Sequence, residues 1–376
     1  MLSLWDSWPL PLETAPPSSC SPPRSSCSAR QRSCSCAHSV RPIVPPPATP
    51  RASPQYVHNS LGAHAVITNI DVTLRDGGYR NSFNFSPEYA LAHARSSVAS
   101  GFDWVEIGYR KGSSRPELTD GLTAHCDDEY IAAMAREVGP EHIGIMVHPG
   151  NLGEHDLDEA WSAGARLLRI CFSPSDPRRS LECAQRAVEI GYVVCINVTR
   201  ISTVAPKRLR RIINAVSGLG VTALYLADSN GSLLPDEVHA LVESLISGHE
   251  LAVGMHAHNH LGLALVNTIR AVDAGATWVD SAVLGMGKGA GNLVAEQWLA
   301  YLSQRRAGSD RFDLGSVLEL STRLGESVVE AAPRLDVTDM LLGYFDLSIE
   351  HSPRLAEIPD RHAQVRAAGL LAGADS

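Results

Sequence analysis

Ala252-Val253-Gly254-Met255-His256-Ala257-His258, then the stretch Gly262 to Ala274, then Gly275 and Trp278-Val279-Asp280-Ser281-Ala282-Val283, together read as one strand–helix–strand unit. The first run is a candidate strand that ends in His-x-His, the middle has helical periodicity, and Gly275 stands where a helix C-cap needs a left-handed residue. Outward from this unit the same alternation repeats from about residue 65. Candidate strands run from Val66 to Val72, Trp104 to Gly108, Ile143 to Val147, Leu167 to Phe172, Val193 to Val198 and Ala223 to Ala227, with Ala252 to Met255 and Trp278 to Val283 completing the set. Between them lie helical segments such as Pro87 to Ser100, Leu181 to Ile190, Lys207 to Val216 and Asp236 to Ile246. Gly101, Gly164 and Gly220 recur at the phase of Gly275, which marks a repeated unit. A doubly wound sheet also alternates strands with helices, but eight units in roughly 240 residues match a (β/α)8 TIM barrel, and an α/β barrel is the expected fold.

The expected organisation is a disordered segment over 1–62, a catalytic barrel over 63–306 and a short helical C-terminal extension over 307–376. The extension reads as a helix from Leu314 to Ala331 and a less regular end around Leu341-Leu342-Gly343-Tyr344. The first segment is crowded with Pro, Ser and Arg, and such a composition buries too little apolar surface to offset ordering entropy. Its Cys20, Cys27, Cys34 and Cys36 lack the paired C-x-x-C of a metal clip, and Asp6 interrupts the only apolar stretch. A transit-like leader and a stretch upstream of the native start, near Val57 or Val66, stay open as readings of residues 1–56. Cys126, Cys171, Cys183 and Cys195 are scattered among strands and helices, as in a reduced, cytoplasmic enzyme. The net charge of −9 argues against nucleic acid and anionic membranes as partners. A small-molecule substrate and a homo-oligomer of the barrel are expected, and no apolar run spans a bilayer.

Barrel active sites gather at the C-terminal ends of strands, and three motifs converge there. Arg75-Asp76 follows the first strand, His256 and His258 end the seventh, and Gly285-Met286-Gly287-Lys288-Gly289-Ala290-Gly291-Asn292 follows the eighth. Residues i and i+2 of a strand share a face, so both imidazoles point into one cavity, where Asp76 completes a facial set of ligands with open positions. Mn²⁺ is the favoured ion, with Mg²⁺, Co²⁺ and Zn²⁺ as alternatives. Arg75, always protonated, suits an enolate oxyanion. The amides of the glycine-dense turn, with Gly287, Lys288 and Gly289 at its centre, are candidate acceptors of an anion at a helix start. Asn292 either turns its amide oxygen to the metal or caps the following helix. Glu106, Asn197, Asp228 and His148 lie near strand ends as candidate substrate or supporting groups, or as satisfied interior polar residues.

Asp71-Val72-Thr73-Leu74-Arg75-Asp76-Gly77, His256-Ala257-His258-Asn259 and the Gly285 to Asn292 loop resemble the metal-dependent aldolase, lyase and synthase superfamily, often called HMGL-like. The resemblance covers about residues 65 to 305 and is closest to the 4-hydroxy-2-oxovalerate aldolases. The Glu-Arg of the Claisen-type synthases and the Cys of hydroxymethylglutaryl-CoA lyase are absent from the loop. The resemblance implies that Asp76, His256 and His258 hold the metal and that a 2-oxoacid chelates it. It further implies that a base takes the C4 hydroxyl proton and that Arg75 stabilises the pyruvate-type enolate left by C–C cleavage. One departure stands out: the catalytic His of these aldolases is Tyr79 here. A phenol with an unperturbed pKa near 10 is a poor base at neutral pH, so Tyr79 is expected to orient substrate while His260, His125 or His351 acts as base. The C-terminal region is shorter than the part these aldolases use to dock a dehydrogenase, which speaks against channelling to such a partner. The alternatives are an acyl-CoA-dependent Claisen-type synthase and a barrel that binds metal without turnover.

Overall fold

A computed structural model of the protein describes residues 66–113, 121–172, 176–247, 251–305, 311–333 and 336–375. The segment 1–62, expected to be disordered, and its cysteines lie outside the described residues. Eight parallel strands close into a barrel in sequence order. They are β1 (Thr68–Asp71), β2 (Trp104–Arg110), β3 (Ile143–Val147), β4 (Leu167–Phe172), β5 (Val193–Thr199), β6 (Ala223–Asp228), β7 (Ala252–Ala257) and β8 (Trp278–Ser281). β8 pairs back onto β1 over the full length of both, from Thr68 opposite Trp278 to Asp71 opposite Ser281, and so closes the (β/α)8 TIM barrel.

The joints follow local chemistry. Gly101, Gly164, Gly220 and Gly275 all take positive φ, between 75° and 122°, where the preceding helix ends and the chain turns into the next strand. Helices Pro87–Ala99, Pro177–Ile190, Pro206–Val216 and Pro235–Ile246 open on proline, whose fixed φ suits the first helical position. Pro206–Val216 turns an apolar stripe to the sheet, with Leu209, Ile212, Ile213 and Val216 as its buried residues.

Alternation along the strands sorts the barrel interior into layers. Leu167, Cys195, Ala223 and Trp278 belong to an apolar floor that also contains Ile70, Val72, Tyr225 and Ala282. Two residues further along β4 and β8 stand Arg169 and Asp280, which are buried charges, and beyond them the interior opens as a cavity. Residues of opposite parity, such as Ile145, Ile170, Ile196 and Leu226, pack in the large cluster that also holds the helix stripes.

The C-terminal extension is more regular than its sequence suggests. Leu314–Ser327 is a helix, but Val328 breaks it before a short turn at Val329–Ala331. The end expected to be irregular forms helices Val337–Tyr344, Ser352–Ala356 and Arg361–Asp375 around a small core of Leu342, Leu347, Leu355 and Ala368. Asp346, at φ 54°, fastens this unit to the barrel rim. Its Oδ1 accepts hydrogen bonds from Ser202 Oγ (2.8 Å), Asn230 Nδ2 (2.9 Å) and Ser232 Oγ (2.6 Å). Ser348, Ile349 and Glu350 thereby reach the mouth of the cavity.

Candidate functional site

The cavity at the C-terminal ends of the strands has a volume of about 200 Å³. That is below the range of drug-sized pockets and suits a small metabolite. Arg75, Asp76, His256 and His258 line it, so the first two motifs converge as the barrel topology requires. The turn that presents Arg75 and Asp76 is built by Asp71. Its Oδ1 takes hydrogen bonds from the backbone N–H (2.9 Å) and hydroxyl (2.5 Å) of Thr73, while His93 Nε2 (2.8 Å) and the Ser97 hydroxyl hold its Oδ2. Asp76 N–H then bonds to Val72 O at 2.8 Å, one helical turn that aims the next side chains inward.

One ligand atom from each of Asp76, His256 and His258 lies within 4.8 Å of the other two. His256 Nδ1 faces Asp280 Oδ2 at 2.9 Å, and His258 Nδ1 faces the carbonyl of Lys288 at 3.2 Å. Both partners only accept, so each Nδ1 carries the proton and each Nε2 is a bare lone pair. Those two lone pairs stand 3.3 Å apart, with Asp76 Oδ2 3.9 Å from His258 Nε2. Three converging acceptors with no donor between them fit a divalent cation, and the Asp280–His256 pair is the usual support of a metal-bound imidazole. Burial pushes His258 down to about 3, so it stays neutral. Burial works against ionisation of Asp76, yet the Arg75 guanidinium beside it holds its carboxyl well below the usual carboxylate range.

Beneath this ring runs a buried ionic network. Arg75 bridges Asp76 Oδ1 (2.6 Å) and Glu106 Oε2 (2.7 Å), and Arg169 bridges the same Glu106 oxygen (3.1 Å) and Asp280 Oδ2 (2.6 Å). Arg169 also lies over the ring of Tyr225 at 4.1 Å. Glu106, a candidate for substrate contact or for support, holds two arginines and does not line the cavity. Arg169 and Asp280 are absent from the sequence reading, although a charge in the middle of a buried strand is a signal in itself.

The glycine-dense loop departs from its expected role. The helix after it begins only at Ala295, so Asn292 does not cap it, and no helix start faces the cavity from this loop. The loop folds onto the ligand ring instead. Asn292 Nδ2 donates to Asp76 Oδ2 at 2.7 Å, and the Lys288 N–H approaches the same oxygen at 3.3 Å. A Cβ on Gly287 would stand 2.4 Å from Asn292 Nδ2, and one on Gly289 2.6 Å from His260 Nε2, so both glycines are needed for close approach. Of Gly287, Lys288 and Gly289, only Lys288 lines the cavity, with its Nζ 5.0 Å from the Tyr79 ring centre.

Tyr79 and Asn197 line the cavity, as expected of substrate-facing groups. Burial raises the Tyr79 phenol to about 12, and its hydroxyl donates to Tyr109 Oη at 3.1 Å. Asn197 is buried, and its Oδ1 has no hydrogen-bond partner. The three imidazoles expected as bases do not line the cavity. His260 packs behind His258, ring centres 5.9 Å apart, against Gly231, Gly289 and Gly343. His125 is exposed, and His351 ends a short turn beside the cavity mouth. Asp228, buried away from the cavity, accepts from the N–H groups of Ser232 and Leu233, and burial lifts it to about 6. His148 does line the cavity. Met146, Cys171 and Tyr109 join it there without having been marked in the sequence.

A model of the HMGL-like family matches residues 67–323. The 4-hydroxy-2-oxovalerate aldolase of Pelotomaculum thermopropionicum is 31% identical over 77% of this chain and 85% of its own length. The enzyme of the same name from Carboxydothermus hydrogenoformans is 29% identical over 77% of this chain and 86% of its own. Among solved structures, the HMG-CoA lyase of Bacillus subtilis superimposes with a TM-score of 0.61 at 18% identity, over 74% of this chain and 98% of that one, a likeness of fold.

Proposed function

The chain belongs to the HMGL-like family, and we propose that within it this protein is a carbon–carbon lyase, a divalent-metal-dependent aldolase. It cleaves or forms a C–C bond through a pyruvate-type enolate, with a 4-hydroxy-2-oxoacid as substrate. The observation that carries this reading is the meeting of two bare imidazole lone pairs and the Asp76 carboxylate with the Arg75 guanidinium in one small cavity. Asp76, His256 and His258 would hold the cation, for which Mn²⁺ is the favoured choice. When bound, the cation supplies Lewis acidity and a template for the keto and carboxylate oxygens of a 2-oxoacid. Asn292 orients the Asp76 carboxylate, and Asp280 fixes the tautomer of His256. Arg75 keeps its Nη2 without a partner, and that N–H group donates to the oxygen on which enolate charge develops. A cytoplasmic location belongs to the same reading. Cys126, Cys171, Cys183 and Cys195 are free thiols, and no described helix is long and apolar enough to cross a membrane.

Enolisation tests the reading without knowledge of the aldehyde. With Mn²⁺ supplied, the protein is expected to exchange the C3 hydrogens of pyruvate for deuterium and to release pyruvate from 4-hydroxy-2-oxovalerate. Absence of both, in protein that has bound Mn²⁺, defeats the proposal. Consumption of acetyl-CoA with a 2-oxoacid and release of free thiol would favour the Claisen-type alternative.

A further inference from the structure

We propose that His148 is the general base of this cavity and takes the proton of the substrate's C4 hydroxyl. The inference rests on the aldolase reading and fills the position left open by Tyr79. Three imidazoles line the cavity among the described residues, and two of them are His256 and His258, whose Nε2 lone pairs face the candidate cation. His148 is the third, and its Nε2 has no hydrogen-bond partner.

The other groups around the cavity are poorly suited. Tyr79 spends its hydroxyl proton on Tyr109 and is ionised only near pH 12. Burial raises the Cys171 thiol to about 12 as well. Arg75, Arg200 and Lys288 are cations, and Glu350 is an exposed carboxylate at the mouth. What remains is a neutral imidazole that lines the cavity with its Nε2 uncommitted.

The backbone explains the placement. His148 follows the last residue of β3, two residues after Met146, so both side chains share the inner face of the barrel. Pro149 follows, and the residue before a proline is restricted to extended backbone, here φ −98° and ψ 112°. The ring stacks on Tyr109, centres 5.5 Å apart and planes 20° apart, so its orientation is held without use of Nε2. Burial, with Arg75 and Lys288 nearby, pushes His148 down to about 4, which keeps it neutral at pH 7.

The step balances as follows. The C4 hydroxyl proton passes to His148 Nε2, the C4–O bond becomes the aldehyde carbonyl, and the C3–C4 electron pair becomes the enolate of the 2-oxoacid. Return of that proton to C3 yields the free 2-oxoacid and neutral His148.

His148→Gln and His148→Ala decide the matter in the full chain loaded with Mn²⁺. Cleavage of 4-hydroxy-2-oxovalerate is expected to fall roughly 10²- to 10⁴-fold, the usual range for loss of a general base. Mn²⁺ stoichiometry and oxalate affinity, read by calorimetry, should match the parent, and added imidazole should restore part of the rate to His148→Ala. Cleavage within roughly tenfold of the parent overturns the assignment. So does loss of Mn²⁺ or oxalate binding together with activity, which would mark His148 as a packing group. If the parent protein itself neither cleaves this substrate nor exchanges pyruvate hydrogens, the aldolase reading falls and the base falls with it. Normal parent activity with undiminished variants removes the base alone.

Discussion

The two walls of the cavity differ in how their polar groups are spent. On the side of β7, β8, β1 and β2, with Arg169 reaching across from β4, charges interlock: Asp76 with Arg75, Arg75 with Glu106, Glu106 with Arg169, Arg169 with Asp280, and Asp280 with His256. On the side of β3, β4 and β5, the lining residues Met146, His148, Cys171 and Asn197 make no ion pair among the described residues, and His148 Nε2 and Asn197 Oδ1 have no hydrogen-bond partner at all. A wall that must keep a doubly charged ion in fixed geometry needs its charges balanced and its rotamers locked. A wall that must exchange protons or hydrogen bonds with a substrate needs lone pairs in reserve. The first wall therefore holds the cation, with Arg75 Nη2 left to face the enolate, and the second acts on the proton, which makes the two separable by mutation.

The largest effect is expected from breaking the holding wall at its top. Asp76→Asn, His256→Ala and His258→Ala should each abolish stoichiometric Mn²⁺ binding and cleavage together, because a three-ligand set loses affinity and geometry with any member. Metal content of the purified, folded variants is the measurement. Full Mn²⁺ occupancy in all three would erase the distinction between the walls.

The next effect reaches the bottom of the same wall. Asp280→Asn leaves Arg169 with Glu106 alone and removes the carboxylate that fixes His256. Metal affinity should fall about 10- to 100-fold, the usual result of losing such a support. Arg169→Met, by stranding the buried Asp280 carboxylate, should destabilise the barrel by about 3–5 kcal/mol in urea unfolding. On the acting wall, Met146→Leu conserves volume and breaks no ion pair, so its cost should stay under about 1.5 kcal/mol. Equal losses from Arg169→Met and Met146→Leu would contradict the contrast.

The same division decides what is legible in the sequence. The barrel follows from a repeating period and from glycines at one phase, and every expected strand is found within two residues of its bounds at each end. Asp76, His256 and His258 could be read because each lies in a compact motif whose spacing has a geometric meaning. Arg169 and Asp280, 111 residues apart, could not be paired, since only closure of the barrel makes their strands' side chains meet. His260 misled for a related reason. It sits two residues beyond His258 in sequence, but the chain has left the strand by then, and i, i+2 alternation no longer predicts the face. The glycine loop misled because its Lys288 N–H approaches the protein's own carboxylate, a partner that local sequence does not disclose. The end of the chain read as irregular because its four-residue core is spread over Leu342 to Ala368, with no single segment strongly periodic.

The smallest effect is expected where the walls meet. Tyr79 stands between them, its ring under Lys288 Nζ at 5.0 Å and its hydroxyl on Tyr109, which in turn stacks on His148. Tyr79→Phe keeps the ring and the edge-on contacts with Phe83 and Tyr109, and removes one hydrogen bond between neutral groups. Such a bond is worth about 0.5–1.5 kcal/mol net, so kcat/KM for cleavage should fall by no more than about tenfold. The sign of any pH effect follows from burial. A phenol raised to about 12 stays protonated through neutral and mildly alkaline pH, so the variant's pH profile between about pH 6 and 9 should keep the shape of the parent's. The profile separates two uses of the hydroxyl. A base would leave an alkaline limb that disappears in Tyr79→Phe, whereas an orienting donor leaves the shape of the curve unchanged and lowers its height. A loss beyond about 10²-fold, with that limb removed, would move the proton transfer from His148 to Tyr79 and give the acting role to the boundary between the walls.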